Sequence, residues 1–452
     1  MTGMKFKFKF GEFFLGLATL LAIVLSIVLW IFIMTSDQRF SNIGQNQNNT
    51  TKEQARSHSA KSLYDLYIPT TSYGFVDGRL CQLYDSKNNL TLEFTKEIQK
   101  AKAVSDVKKI VKSRAKYEEY LNDDAYLQLV YPDEITFSLF NHLNNSNNDN
   151  REFNRFFVSH SNNIIYLGND QTSAIYRIKI KGANFDKLRK FARNAKTKSP
   201  VHLVKLQEGY SPFYSRTTNS QVYSYLTNHQ SYSYFVSRLL GTSGVTSKTN
   251  KSGQTIYSLN YYTRLKVPDP ESGEHNYLYT HFEKNKIPNA TNRLLDSVYY
   301  VHQLGLTEQD LRFFDADGSN VGYVNYIEGI PVFLNQHDLQ VKTTFSYDSI
   351  NVAFNSVNFQ IPIPFDGQTQ ELKPTAEVVS ELGAHGLKQS DIQRIIVGFK
   401  IEKDSSHHSL INLIPTYYVK AYDEWKSVDE WEKKNVAPYR KPGETVKTNE
   451  VK

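Results

Sequence analysis

Between Phe13 and Met34 the sequence carries no charged residue and consists mostly of Leu, Ile, Val, Phe and Ala. At ~1.5 Å of rise per residue, a helix of that length spans roughly 30 Å, the hydrocarbon thickness of a bilayer. The expectation is one membrane-crossing helix with every other domain outside the lipid. The alternative is a cleaved secretory signal, whose apolar region runs about 7–15 residues and ends in small residues. Here the run is longer and closes on Trp30-Ile31-Phe32-Ile33-Met34, without that cleavage pattern. Lys5, Lys7 and Lys9 precede the run and Thr35, Ser36 and Asp37 come directly after it, a bias that places residues 1–12 in the cytoplasm and the remaining chain outside.

Beyond this apolar run the chain has the composition of folded domains. Hydrophobic residues make up 40% and aromatic residues 13% of the sequence, enough to fill sizeable cores. Cys81 is the only cysteine, so neither an intramolecular disulfide nor a cysteine-based zinc site can form and stability has to come from packing. An exported chain without disulfides suits the surface of a Gram-positive bacterium. The excess of 53 Lys and Arg over 46 Asp and Glu lies partly in the first residues and partly near the C-terminus. That distribution argues against nucleic acid and is compatible with anionic wall polymers or lipid headgroups.

The fold class expected is α+β, with antiparallel sheets packed by helices in several extracytoplasmic domains. Residues 35–61, rich in Asn, Gln, Ser and Thr, read as a spacer. An N-terminal α+β domain is placed at 62–210, a middle domain at 211–308, a C-terminal domain at 309–432 and a tail at 433–452. Val104, Val107, Ile110, Val111, Tyr117, Tyr120 and Leu121 recur at helical spacing and predict one amphipathic helix; a second carries Phe185, Leu188 and Phe191. Near Gly209-Tyr210-Ser211-Pro212 the pattern dissolves, which suggests a boundary. Thr255–Lys266 and His275–Glu283 read as a hairpin, the Leu294–His302 stretch as a helix stopped by Gly305, and Thr375–Leu382 as a helix begun by Pro374. Ile392–Ile401 and Leu410–Tyr422 read as an antiparallel pair, the second strand broken at Pro415.

Few residues invite chemistry. Asp315-Ala316-Asp317-Gly318 lacks the sixth-position glycine and the twelfth-position glutamate of a calcium loop, Tyr326 standing at the latter, so a hairpin turn explains it better. His407-His408 has no partner at ligand spacing and reads as a loop tip. No G-x-S-x-G, H-E-x-x-H or P-loop pattern occurs, and no catalytic residue, cofactor or metal is expected. Lys187, Arg189, Lys190, Arg193, Lys196 and Lys198 form either a solvated helix face or a grip for an anionic polymer. Within the apolar run, Ala18, Ala22 and Ser26 lie four apart on one face. Such a small-residue stripe either seats a partner helix or belongs to a passive anchor.

The last third of the chain carries a more specific pattern. Tyr323-Val324-Asn325-Tyr326-Ile327-Glu328-Gly329-Ile330-Pro331-Val332-Phe333, then Ile395-Ile396-Val397-Gly398-Phe399, then Leu413-Ile414-Pro415-Thr416-Tyr417-Tyr418-Val419 before Trp425, resembles the YycH family. The short lysine-rich tail, single apolar segment and length fit as well. Glu328, where a small polar residue is expected, and Tyr417, where Trp is common, depart from the pattern. The resemblance implies structural roles for Gly329, Ile330, Pro331, Pro415 and Trp425, and a non-enzymatic membrane regulator of a cell-wall-sensing histidine kinase of the YycG (WalK) type. It also implies partnership with a sister membrane protein of the YycI type, to which the C-terminal domain would be similar. The competing expectation is an envelope-polymer binding protein, and a third is a divergent hydrolase.

Overall fold

In the computed structural model the described residues are 60–436, apart from 144–148, 285, 307–308, 335–338, 364–366, 405–406 and 408, together with Thr19, Ile23, Leu25 and Ser26. Ala18, Ala22 and nearly all of the expected membrane segment lie outside these; Ser26 is helical and exposed. Among the described residues no helix is long and apolar enough to cross a membrane. The α+β class is as expected, with two large sheets.

The first sheet holds ten strands. Its spatial order begins at Gly209–Tyr214 and passes through Thr197–Leu206, Arg79–Tyr84, Thr71–Val76, Leu127–Thr136, Glu152–Val158 and Ile164–Asn169 to Ala174–Lys181. Lys102–Ala103 and Lys108–Val111 pair with that last strand, and every pairing is antiparallel. Alternation explains the strand at 174–181: Tyr176, Ile178 and Ile180 are buried while Lys179 and Lys181 face solvent. Helices Leu90–Ile98 and Asp186–Arg193 cover the buried face, where Phe94 stacks on Phe185 at 5.9 Å and meets Phe156 at 4.9 Å. Asn89 caps the first of these by accepting from the Leu92 amide.

The second sheet holds fourteen strands. Its path runs Thr246–Thr249, Thr255–Ser258, Thr263–Val267, Asn276–Phe282, Ser349–Asn355, Val341–Phe345, Asn320–Ile327, Ile330–Phe333, Ile392–Lys403, Leu410–Ala421, Tyr223–His229 and Val357–Ile363. Leu311–Asp317 and Glu424–Ser427 pair off this path. Helices Tyr232–Leu240 and Ala290–Leu304 pack on one part, Phe235 lying 4.8 Å from Phe354 and 5.1 Å from Tyr277. Helices Thr375–Ala384 and Val428–Lys433 cover another around Leu382 and Trp431, whose indole N–H donates to the Val419 carbonyl at 2.9 Å. The main core is continuous across both sheets; Tyr67 donates to the Leu294 carbonyl and reaches the Tyr323 hydroxyl at 3.1 Å.

Several expectations are corrected. The single helix at 104–121 is instead the short strand Lys108–Val111 and then a helix starting at Arg114, because pairing with Ala174–Lys181 satisfies the first half. Gly209–Tyr214, near which a boundary is expected, is a full strand against Thr197–Leu206 and the last strand of the first sheet in chain order, so the change of sheet comes just after it. The stretch Thr255–Lys266 is two strands paired with each other, and only the second pairs with Asn276–Phe282. Asn276–Phe282 in turn pairs along its length with Ser349–Asn355, so one sheet runs through both the middle and the last segments of the chain. Pro415 does not break its strand: it sits opposite Phe399, between the stretch 410–413 that pairs with Tyr223–Leu226 and the stretch 418–421 that pairs with Glu424–Ser427. Between those neighbours the strand has an open edge, where a proline costs least.

Candidate functional site: the seam between the sheets

The ladder between Leu127–Thr136 and Glu152–Val158 is irregular from Val130 to Ile135, and the intervening Pro132 has no amide hydrogen to give. The excursion turns Pro132 and Asp133 toward the second sheet. There the Pro132 carbonyl accepts from Arg394 Nη1 at 2.6 Å, Asp133 pairs with Arg394 Nη2, and the other oxygen of Asp133 accepts from the Ala316 amide at 2.8 Å. The hairpin turn at Gln207-Glu208 approaches from the same sheet. Its Glu208 carboxylate lies 3.0 Å from Arg394 Nε and 3.1 Å from Lys420 Nζ, and the Glu208 amide donates to the Gln393 carbonyl. Asp315 faces Lys420 at 3.3 Å and Arg394 at 3.8 Å. The buried Lys420 and the half-buried Arg394 thus hold three carboxylates drawn from both sheets.

The electrostatics reflect this crowding. Burial works against the charge of Arg394, but Asp133, Asp315 and Glu208 outweigh it and hold the guanidinium above its ordinary value. Lys420 is raised in the same way, chiefly by Asp315. Burial and the nearby Asp133 lift Asp315 to about 6 despite both cations. A cavity of about 150 Å³ opens against the network, lined among others by Glu134, Glu152, Asp317 and Arg293. Burial, then Glu152 and Asp133, lift Glu134 to about 8. Among the described residues no group of three His, Cys, Asp or Glu side chains is placed to hold a metal ion. The arrangement fastens two sheets and biases how they sit together.

A second contact joins the sheets at the Glu328-Gly329 turn. Both residues are left-handed, with φ of 50° and 77°, and link Asn320–Ile327 to Ile330–Phe333 in a two-residue hairpin. The Tyr84 hydroxyl donates to Glu328 at 2.7 Å, and a Cβ on Gly329 would stand 2.9 Å from the Tyr84 ring. The departure at Glu328 therefore carries an inter-sheet bond. Ile330 opens the next strand, Pro331 lies opposite Tyr326, and the parallel neighbour is met from Val332 onward. Trp425 packs 5.2 Å from Phe314 and 5.9 Å from Phe333. Tyr417 donates to the Lys373 carbonyl at 2.8 Å.

Other expected sites disperse. Lys187 pairs with Glu93 at 2.9 Å, Arg189 donates to the Ser159 and His160 carbonyls, and Lys198 donates to the Arg193 carbonyl. Half of the basic face is thus engaged within the fold. His407 is exposed in the turn before Leu410, and the expected Asp315-Ala316-Asp317-Gly318 turn lies one residue later, at Gly318-Ser319, with Asp315, Ala316 and Asp317 in the strand. Sequence reading missed Arg394 and Lys420, although each is a charge set inside a strongly apolar strand, the one signal available.

Comparison with known proteins agrees with this architecture. The model of the YycH N-terminal domain matches residues 15–197 and that of the YycH C-terminal domain matches 211–435. No curated protein matches the chain. The crystal structure of YycH from Bacillus subtilis superposes with a TM-score of 0.66 at 14% identity, covering 81% of this chain and 96% of that one, a likeness of fold. With two domain models that together match most of its length, the chain belongs to the YycH family.

Proposed function

We propose that this chain is a non-enzymatic, membrane-anchored regulator of a cell-wall-sensing histidine kinase of the YycG type, acting through contacts with the kinase and with a YycI-type sister protein. The observation that carries the reading is the family match, whose N-terminal part begins at residue 15, inside the apolar run. On this reading Phe13–Met34 crosses the cell membrane, residues 1–12 are cytoplasmic and both sheets are extracytoplasmic. A partner helix seated on Ala18, Ala22 and Ser26 shifts a two-state sensor only through unequal affinity for its two states, and a few kcal/mol of difference is enough for a large change in population. The deciding experiment is extraction of the full chain in mild detergent and identification of the proteins and polymers that co-purify. Recovery of the kinase and the sister protein is the expected result. Recovery of anionic wall polymer alone would transfer the function to polymer binding.

A further inference from the structure

The far edge of the first sheet gathers cations on one face. Along Ala174–Lys181 the buried Tyr176, Ile178 and Ile180 alternate with Arg177, Lys179 and Lys181, which stand on the opposite face at intervals of roughly 7 Å. The two edge strands add to that face, Lys102 directly opposite Lys181 and Lys108 directly opposite Arg177. Side chains so paired leave the backbone roughly 5 Å apart, and like charges there repel each other. Across residues 101–116 and 174–182 the only acidic residue is Asp106. The carboxylates of the neighbouring helices are engaged by other cations: Glu97 by Lys100, Glu118 by Arg114, Glu93 by Lys187 and Asp186 by Arg189. Among the described residues none of the five cations on the strip forms an ion pair.

The strip is bounded on its inner side. Tyr166 lies opposite Arg177 and Ile164 opposite Lys179. The Tyr166 ring is 5.8 Å from Tyr120 and 5.6 Å from Tyr126, which stack on each other at 5.3 Å, so a half-buried aromatic wall runs beside the cations. Helix Arg114–Leu121 covers Phe157 and Ile175 on this face and leaves Lys179 and Lys181 exposed. A complementary partner brings negative charges in a line that follows the strand. A bilayer surface fits less well, because it calls for projecting apolar side chains and the edge strands expose only Val104 and Ile110. An acidic strand would add at the open edge of Lys108–Val111, whereas these cations stand on the sheet face. Lysine suits a flexible chain of phosphates, since it acts as a mobile point charge. We propose that the strip is a docking surface for a linear polyol-phosphate polymer of the cell envelope, its phosphates lying along Arg177, Lys179 and Lys181 with Lys102 and Lys108 beside them. This binding is additional to the kinase contacts proposed above and independent of them.

The test is binding of poly(glycerol phosphate) to the full chain in neutral detergent micelles, with no kinase or sister protein present, at salt from about 50 to 200 mM. Affinity should fall as salt rises. Lys108→Gln/Lys179→Gln/Lys181→Gln, all at exposed positions, should weaken binding by about tenfold or more and flatten the slope of log affinity against log salt by about two units, at about 0.7 per phosphate contact. Lys108→Arg/Lys179→Arg/Lys181→Arg keeps the charges and should bind as the parent does, which separates lost charge from lost folding. Lys190→Gln/Arg193→Gln/Lys196→Gln removes equal charge from exposed positions beyond the strip and should change little. Phosphatidylglycerol doped into the micelles should not displace the polymer, and polyglutamate should bind more weakly. Absence of binding at the lowest salt, or equal loss in both Gln variants, overturns the proposal. Displacement by the lipid would give the strip to headgroups, and equal affinity for polyglutamate would give it to an acidic protein segment; either result also overturns the polymer.

Discussion

At the scale of single residues, the seam depends on Arg394. Its guanidinium reaches Asp133, Glu208 and the Pro132 carbonyl, and Asp315 lies 3.8 Å away. Replacing it with Met leaves the buried Asp133 and the half-buried Glu208 and Asp315 facing Lys420 alone, a loss below the about 3–5 kcal/mol of a broken, fully buried pair. The urea midpoint of the second-sheet transition should fall accordingly, and less in Asp133→Asn/Arg394→Met than the two single changes summed, because the pair is coupled. Gly329→Ala tests the other contact. It places a Cβ 2.9 Å from the Tyr84 ring at a φ of 77°, so the thermal midpoint should drop, by about 1–3 kcal/mol of stability, whereas Glu328→Gln, which still accepts from Tyr84, should cost less.

At the scale of elements, two helices were legible from a residue at one end: Gly305 stops Ala290–Leu304 and Pro374 precedes Thr375–Ala384, whereas Leu90–Ile98, capped by Asn89, was not read. The hairpin after Leu311–Asp317 was equally plain, although its turn falls on Gly318-Ser319, one residue later than expected. Val104–Leu121 was misread because apolar residues three and four apart also arise when a short edge strand runs into a helix, and only pairing with Ala174–Lys181 decides between them. The seam was illegible for another reason: Asp133, Glu208, Asp315, Arg394 and Lys420 stand far apart in sequence and meet only after both sheets form. Ala22→Leu should hold a partner helix away and weaken association by about 1–2 kcal/mol while insertion persists; Val24→Phe, on another face, should do little. Partner cross-linking and kinase-dependent gene expression read the difference, and equal silence of both changes would reduce the segment to a tether.

At the scale of the whole molecule, the topology reading is checked by a reporter fused after Lys452, which should be active only outside the cytoplasm; a soluble form beginning near Asp37 would show a cleaved signal instead. The order of strands also governs how the protein comes into being. Tyr223–His229 is hydrogen-bonded on one side to Leu410–Leu413 and on the other to Val357–Ile363, and the Ser224 hydroxyl meets Asn412 across 188 residues of chain. A polypeptide made from its N-terminus therefore presents this strand, with its tyrosines and unpaired amides, long before either neighbour has been synthesised. The first sheet can close as soon as Tyr214 has emerged, but the second must wait until Ala421 and Ser427 have followed. A chain cut short at residue 403 would lose the strand Leu410–Ala421 and strand its neighbours without a centre, leaving a sound first half joined to a sticky, protease-sensitive second. Folding of the second sheet thus has a natural checkpoint at Leu410–Ala421, where one late strand decides whether half of the structure forms.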